Sequence, residues 1–165
     1  MVKAQKNELS IVNGEIVYEK VITVDDATKD QIYRYADGWY SAYAENYTSY
    51  KKVDDRYTGQ LVIQSSMESK YKGLLGADKQ MEIEYMVTFL IKDGRTKVTL
   101  SGIKVIDPSI REGNYTTLKP EVDLIKTSEQ SKKGKKEAIK IIEMLNTEMT
   151  NLFAGIERAL TANNF

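Results

Sequence analysis

The chain has 165 residues, enough for one domain that buries a core without covalent staples. Its 24 basic and 24 acidic residues cancel, so no global field gathers a polyanion, and nucleic acid is not expected as a partner. It contains no histidine and no cysteine, which excludes disulfides, zinc sites of the Cys/His type, thiol redox chemistry and nucleophiles activated by histidine.

At the amino end, Val2-Lys3-Ala4-Gln5 sets small or modest residues at alternate positions, as just before a signal-peptidase cut, and a polar stretch follows. The expectation is an exported protein whose signal peptide lies outside this sequence. The alternative is a cytoplasmic protein with a native Met1. Residues 1–13 are expected to be disordered or extended, and 14–165 to form a single domain. No apolar run approaches the roughly 20 residues that cross a bilayer, so no spanning segment is expected.

A first strand is predicted over Glu15 to Val24, after the turn signal Asn13-Gly14. Thr28 and Gln31 then fit a capping box, in which the threonine hydroxyl and the glutamine side chain satisfy each other's backbone N–H groups. Behind that cap, Ile32, Ala36, Trp39, Tyr40, Tyr43 and Tyr47 recur at helical spacing, which predicts a helix with an inward aromatic face. Gly38 interrupts it, at a cost of about 1 kcal/mol against alanine, and is read as making room for Trp39 or a strand.

From Lys51 to Asp107 the period falls to two, and four antiparallel strands are predicted in sequence order. The first, near Tyr50 to Val53, is expected to turn at Asp54-Asp55. Leu61, Ile63, Ser65 and Met67 share the buried face of the second, and a loop is expected from Ser69 to Lys79. The third is the clearest, with Met81, Ile83, Tyr85, Val87, Phe89 and Ile91 on one face. Asp93-Gly94 marks a hairpin, and Val98 and Leu100 continue the buried face. At Gly102 the parity shifts to Ile103 and Val105, which predicts a β-bulge. Asp107 to Lys126 holds both prolines and no period, and reads as a long crossing loop. Thr127 to Gln130 offers a helix cap, with the regular helix expected from about Lys135. Ala138, Ile142, Leu145, Met149, Leu152, Ile156 and Leu160 form its apolar stripe, widened by Ile141, Phe153 and Ala159. The predicted class is α+β: an antiparallel sheet of about five strands with two helices on one face, in the order β-α-β-β-β-β-α.

Three features carry a family resemblance: the helix with Tyr33 and Trp39 behind its Val-Asp-Asp-Ala-Thr-Lys-Asp lead-in, the turn Ile91-Lys92-Asp93-Gly94-Arg95, and the long closing helix. In these the chain resembles bacterial exported domains of unknown function with a TBP-like fold. It is a divergent member, since Thr96, Val98 and Leu100 stand where that family carries aromatics. The resemblance implies a fold and an exported setting, and brings no catalytic residue and no cofactor.

The candidate contact surface is the other face of the sheet, where Val62, Met86, Thr88 and Leu90 make an apolar strip among charged neighbours. Tyr33 and Tyr35, off the helix's inward stripe, are added as exposed aromatic contacts. Glu82 with Glu84, Asp54-Asp55 and Asp25-Asp26 are the carboxylate pairs an enzyme or cation site could use, but strand faces and turns account for them. Lys132-Lys133-Gly134-Lys135-Lys136 is the only basic cluster and, lacking aromatics, reads as a solvated lead-in to the helix. The expected function is therefore a non-enzymatic interaction or structural module, contacting a protein partner or a second copy of itself. The alternative is a carrier of a small apolar, lipid-like ligand between the sheet and the last helix.

Overall fold

The computed structural model describes residues 8–12, 15–107 and 132–162. In chain order these form β1 (Glu8–Val12), β2 (Glu15–Thr23), α1 (Lys29–Ala44), β3 (Thr48–Asp55), β4 (Gln60–Lys72), β5 (Asp78–Lys92), β6 (Arg95–Ile106) and α2 (Lys132–Thr161). The strands make one sheet in the order β1-β2-β6-β5-β4-β3, every neighbouring pair antiparallel. α1 carries the chain from β2 to the far edge, and β3 to β6 then meander back until β6 pairs with β2, Tyr18 opposite Leu100. The α+β class with both helices on one face is as expected. The sheet has six strands rather than about five because β1, in the segment expected to be disordered or extended, pairs with β2.

Alternation decides which side is covered. Leu61, Ile63, Tyr85, Val87, Phe89, Val98 and Leu100 are fully enclosed beneath the helices, while their sequence neighbours on β4 to β6 are half-buried or exposed. α2 presents Ala138, Ile141, Leu145, Met149, Phe153 and Ile156 to that core. The bulge falls where the parity shift put it. Met86 pairs with Ser101 and Glu84 with Lys104, so Gly102 and Ile103 together face Tyr85, with Gly102 at φ +59.

Several expectations need correction. The loop predicted over Ser69 to Lys79 is a continued hairpin: β4 and β5 pair as far as Lys72 opposite Asp78, and only 73–77 turn. Tyr71 keeps the parity of Leu61 and Met67, is buried, and donates its hydroxyl to Glu137 Oε1 on α2 at 2.8 Å, so the helix props up strands that local sequence could not justify. β3 runs through Asp54 and Asp55, and the turn lies at 56–59, where Asp55 accepts from the Thr58 N–H at 3.1 Å. α1 stops at Ala44, leaving Tyr47 beyond the helix and 41% exposed. α2 begins at Lys132, so the basic cluster forms its first turns. The predicted crossing loop beyond Asp107 and the cap at Thr127 to Gln130 lie outside the described residues. No helix among the described residues is long and apolar enough to cross a membrane.

The capping box is formed, Thr28 Oγ1 accepting from Gln31 N and Gln31 Oε1 accepting from Thr28 N. Gly38 does not make room for anything, since a Cβ built there meets no atom within 4 Å. Gly38→Ala is therefore expected to stabilise the protein by about 0.5–1 kcal/mol, read as a higher denaturation midpoint in urea.

Candidate contact surface

The uncovered side of the sheet is built from the even residues of β4 and β5 and the odd residues at the start of β6. Val62 sits opposite Thr88, and Thr88 opposite Thr99. Met86 lies between Gln64 and Ser101, and Leu90 between Gln60 and Lys97. The four residues named from the sequence are thus contiguous, and Leu90 is 46% exposed. The structure adds neighbours that a single strand's pattern could not reveal. Val53 of β3 faces Val62, Val21 of β2 faces Lys97, and Tyr50, opposite Gln64, is 55% exposed. The register shift at Lys52 places its Nζ 3.9 Å from Met86 Sδ.

Charges on this face fall into two groups. Beside the strip Lys97 pairs with Glu19 at 2.7 Å and Lys104 with Glu84 at 4.0 Å, Lys52 alone reaching Met86 without a carboxylate, and the hydrogen bond from Lys97 holds the Glu19 carboxyl below its usual range. At the ends they are like charges set directly opposite one another: Lys92 against Arg95 at the β5–β6 turn, and Glu68 against Glu82 toward the other end. Like charges at such positions destabilise a sheet. A polar depression of about 390 Å³ adjoins the acidic pair, lined by Glu82, Glu84, Tyr50, Gln64, Ser66 and Lys104 among others.

Tyr33 and Tyr35 belong elsewhere. Tyr33 is 4% exposed and donates to Asp54 Oδ1 at 2.5 Å, so it is a buried anchor for β3 and no free aromatic contact. The apolar stripe in the sequence marks one covered face of α1, but the end of β3 closes over a second side. Burial, with Asp54 beside it, pushes the Tyr33 phenol well above its usual value, and hydrogen bonds from Lys51 and Tyr33 hold Asp54 low. Tyr35 is half-buried against the same core. Tyr43 of α1 and Tyr47 just beyond it stack in a ladder, Tyr47 on Tyr43 at 4.4 Å, Tyr43 on Trp39 at 4.8 Å, and Trp39 against Phe89 at 5.7 Å. The hydroxyls of Tyr43 and Tyr85 meet beneath it, and burial raises the Tyr43 phenol too. Of the carboxylate pairs, Asp54 is held by Tyr33 and Lys51 and Asp55 by Thr58, Asp25 and Asp26 lie in a turn where Asp26 has φ +57, and of Glu82 and Glu84 on the uncovered face Glu84 is paired with Lys104.

Residues 18–105, more than half of the chain, match the family described as a domain of unknown function (DUF4468) with TBP-like fold. The chain belongs to that family. Two solved structures share its fold: a DUF4468 family protein from Bacteroides ovatus, TM-score 0.69 at 14% identity over 92% of this chain and 90% of that one, and a TBP-like protein from Parabacteroides distasonis, TM-score 0.70 at 18% identity over 92% and 96%. No curated protein matches. In this DUF4468 domain the Lys92-Asp93-Gly94-Arg95 turn is a joint. Asp93 Oδ1 accepts from the N–H of Lys29 at the start of α1 at 2.6 Å, and Gly94 exchanges backbone bonds with Ala27 and Val24 at 2.8 and 2.9 Å. A carboxylate there satisfies a free N–H and opposes the positive end of the helix dipole. Thr96 is enclosed and donates to the Leu90 carbonyl at 3.3 Å.

Proposed function

We propose that this domain is an exported, non-enzymatic contact module whose open sheet face takes a second copy of the chain, the two sheets stacked with strands running in opposite senses. The observation that carries this reading is the pair of uncompensated like-charge couples of opposite sign, Lys92 with Arg95 and Glu68 with Glu82, at the two ends of an apolar strip. They lie ten residues apart along β5, about 33 Å. A two-fold axis across the strands lays each basic couple on the partner's acidic couple, beside the depression at Glu82 and Glu84, and buries Leu90, Met86 and Val62 between them. Farther out, Lys70 and Lys72 turn to Asp78 and do not cancel the acidic couple.

Five strands of this length offer roughly 650 Å² per copy, at the low end for specific association, so a micromolar dimer is expected. The chain's lack of histidine and cysteine supports the non-enzymatic part, and the spacing at Val2 to Gln5 supports the exported setting. Carboxylates on the face oppose a phosphate backbone. A lipid-like carrier has less support, since Leu145, Met149, Phe153 and Ile156 fill the space between α2 and the sheet.

Charge exchange tests the arrangement. In sedimentation equilibrium, Lys92→Glu/Arg95→Glu and Glu68→Lys/Glu82→Lys are each expected to self-associate at least tenfold more weakly than wild type, and an equimolar mixture to recover wild-type affinity. A wild type monomeric at millimolar concentration, or a mixture that stays monomeric, overturns the reading.

A further inference from the structure

Between the end of α1 and the middle of α2, above Met67 of β4, lies a cleft of about 180 Å³. Trp39, Tyr43 and Tyr47 line one side of it and Glu148, Asn151, Leu152 and Gly155 the other. Gly155 stands well inside α2, where a glycine weakens a helix, and no neighbour needs the space it leaves: a Cβ built on it meets no atom within 4 Å. Two polar groups of the cleft are incompletely matched. Trp39 is nine-tenths buried, yet among the described residues its indole N–H meets no acceptor. Glu148 accepts at Oε1 from Ser69 Oγ at 2.6 Å, which leaves its second oxygen, and no ion pair reaches it among the described residues. Asn151, exposed at the rim, adds an amide that both donates and accepts.

We propose that this cleft binds one pyranose ring of a sugar. A sugar hydroxyl donates to the second oxygen of Glu148 while another accepts from the Trp39 N–H, and the C–H surface of the ring packs on Leu152 and Met67. Both faces of Tyr43 are covered, by Trp39 and by Tyr47, so the aromatic stack offers no cage of open faces to an organic cation. The volume is below the roughly 300 Å³ of a cleft that takes a drug-sized ligand, and suits a single ring. Glu148 is the only carboxylate lining the cleft, and glycoside hydrolysis takes two, so the site holds a sugar without cleaving it. The cleft lies on the helix side of the sheet, away from the open face, and a monomer binds as well as a dimer.

Trp39 is the chain's one tryptophan, so its indole N–H resonance reports on the cleft directly. Titration of the full chain with the methyl glycosides of glucose, galactose, mannose and N-acetylglucosamine is expected to shift that resonance saturably, with a millimolar Kd for at least one of them. A disaccharide bound as tightly as its methyl glycoside marks the end of a glycan as the source and an excluded one marks a free sugar, both with one ring in the cleft. Glu148→Gln is expected to weaken binding about tenfold, because the amide keeps an oxygen for Ser69 and puts N–H groups where the sugar hydroxyl donates. Gly155→Leu is expected to abolish binding with the urea midpoint unchanged or raised, since leucine favours the helix and its side chain enters empty space. No shift with any of the four sugars at about 100 mM, a shift that Gly155→Leu leaves intact, or saturation by choline in place of the sugars would each overturn the proposal, the last by making the cleft a cation site.

Discussion

Gly59→Ala is expected to destabilise the protein by about 3 kcal/mol, among the largest single effects in the molecule. Gly59 closes the β3–β4 turn at φ +76, a region that costs any L side chain. A Cβ there would lie 2.4 Å from the carbonyl oxygen of Ile91 and 3.3 Å from its carbon, both backbone atoms. The turn cannot retreat, because the Gly59 carbonyl accepts from the Ile91 N–H at 2.8 Å and that bond ties the turn to the end of β5. Gly76→Ala is the control: its φ of +78 is nearly the same, but nothing lies within 4 Å, so only the conformational cost of about 1 kcal/mol remains. Urea unfolding followed by the fluorescence of Trp39 separates the two, and equal losses would show that steric contact at Ile91 contributes nothing.

Phe89→Ala is expected to cost about 4 kcal/mol, whereas Leu90→Ala, one residue on, is expected to cost under about 1 kcal/mol. Phe89 is fully enclosed, contacts Trp39 at the foot of the aromatic ladder, and sits between Leu61 and Val98 on the neighbouring strands. Its removal leaves a cavity whose walls, a six-stranded sheet and α1, have little freedom to close. Leu90 points to the uncovered side and is already half in water. The contrast tests the assignment of faces directly: comparable losses at the two positions would mean that something covers both sides of β5.

Much of this is legible in the amino-acid sequence. The capping box at Thr28 and Gln31, the hairpin at Asp93-Gly94 and the bulge at Gly102 each depend on residues within four positions of one another, and each is formed as expected. The strip of Val62, Met86, Thr88 and Leu90 followed from parity alone. The misreadings share a cause. Ser69 to Lys79 looked like a loop because its glycines and lysines carry no strand signal, and its pairing is propped by Glu137 on α2. Tyr33 looked free because Asp54, which binds it, comes twenty-one positions later on an element whose path could not be foreseen.

By itself the sequence determined the alternation of apolar and polar residues, and with it which side of every strand turns inward, because side-chain direction is a property of consecutive backbone geometry. It also determined, by composition, which chemistries lie out of reach. Only the tertiary structure decided what meets what: that Glu137 and Lys140 of α2 meet the end of the β4–β5 hairpin, that Glu68 stands against Glu82 as Lys92 stands against Arg95, and that Asp93 closes α1. Those meetings depend on long-range register, and register is set by the packing of the whole core, which no local window of residues contains.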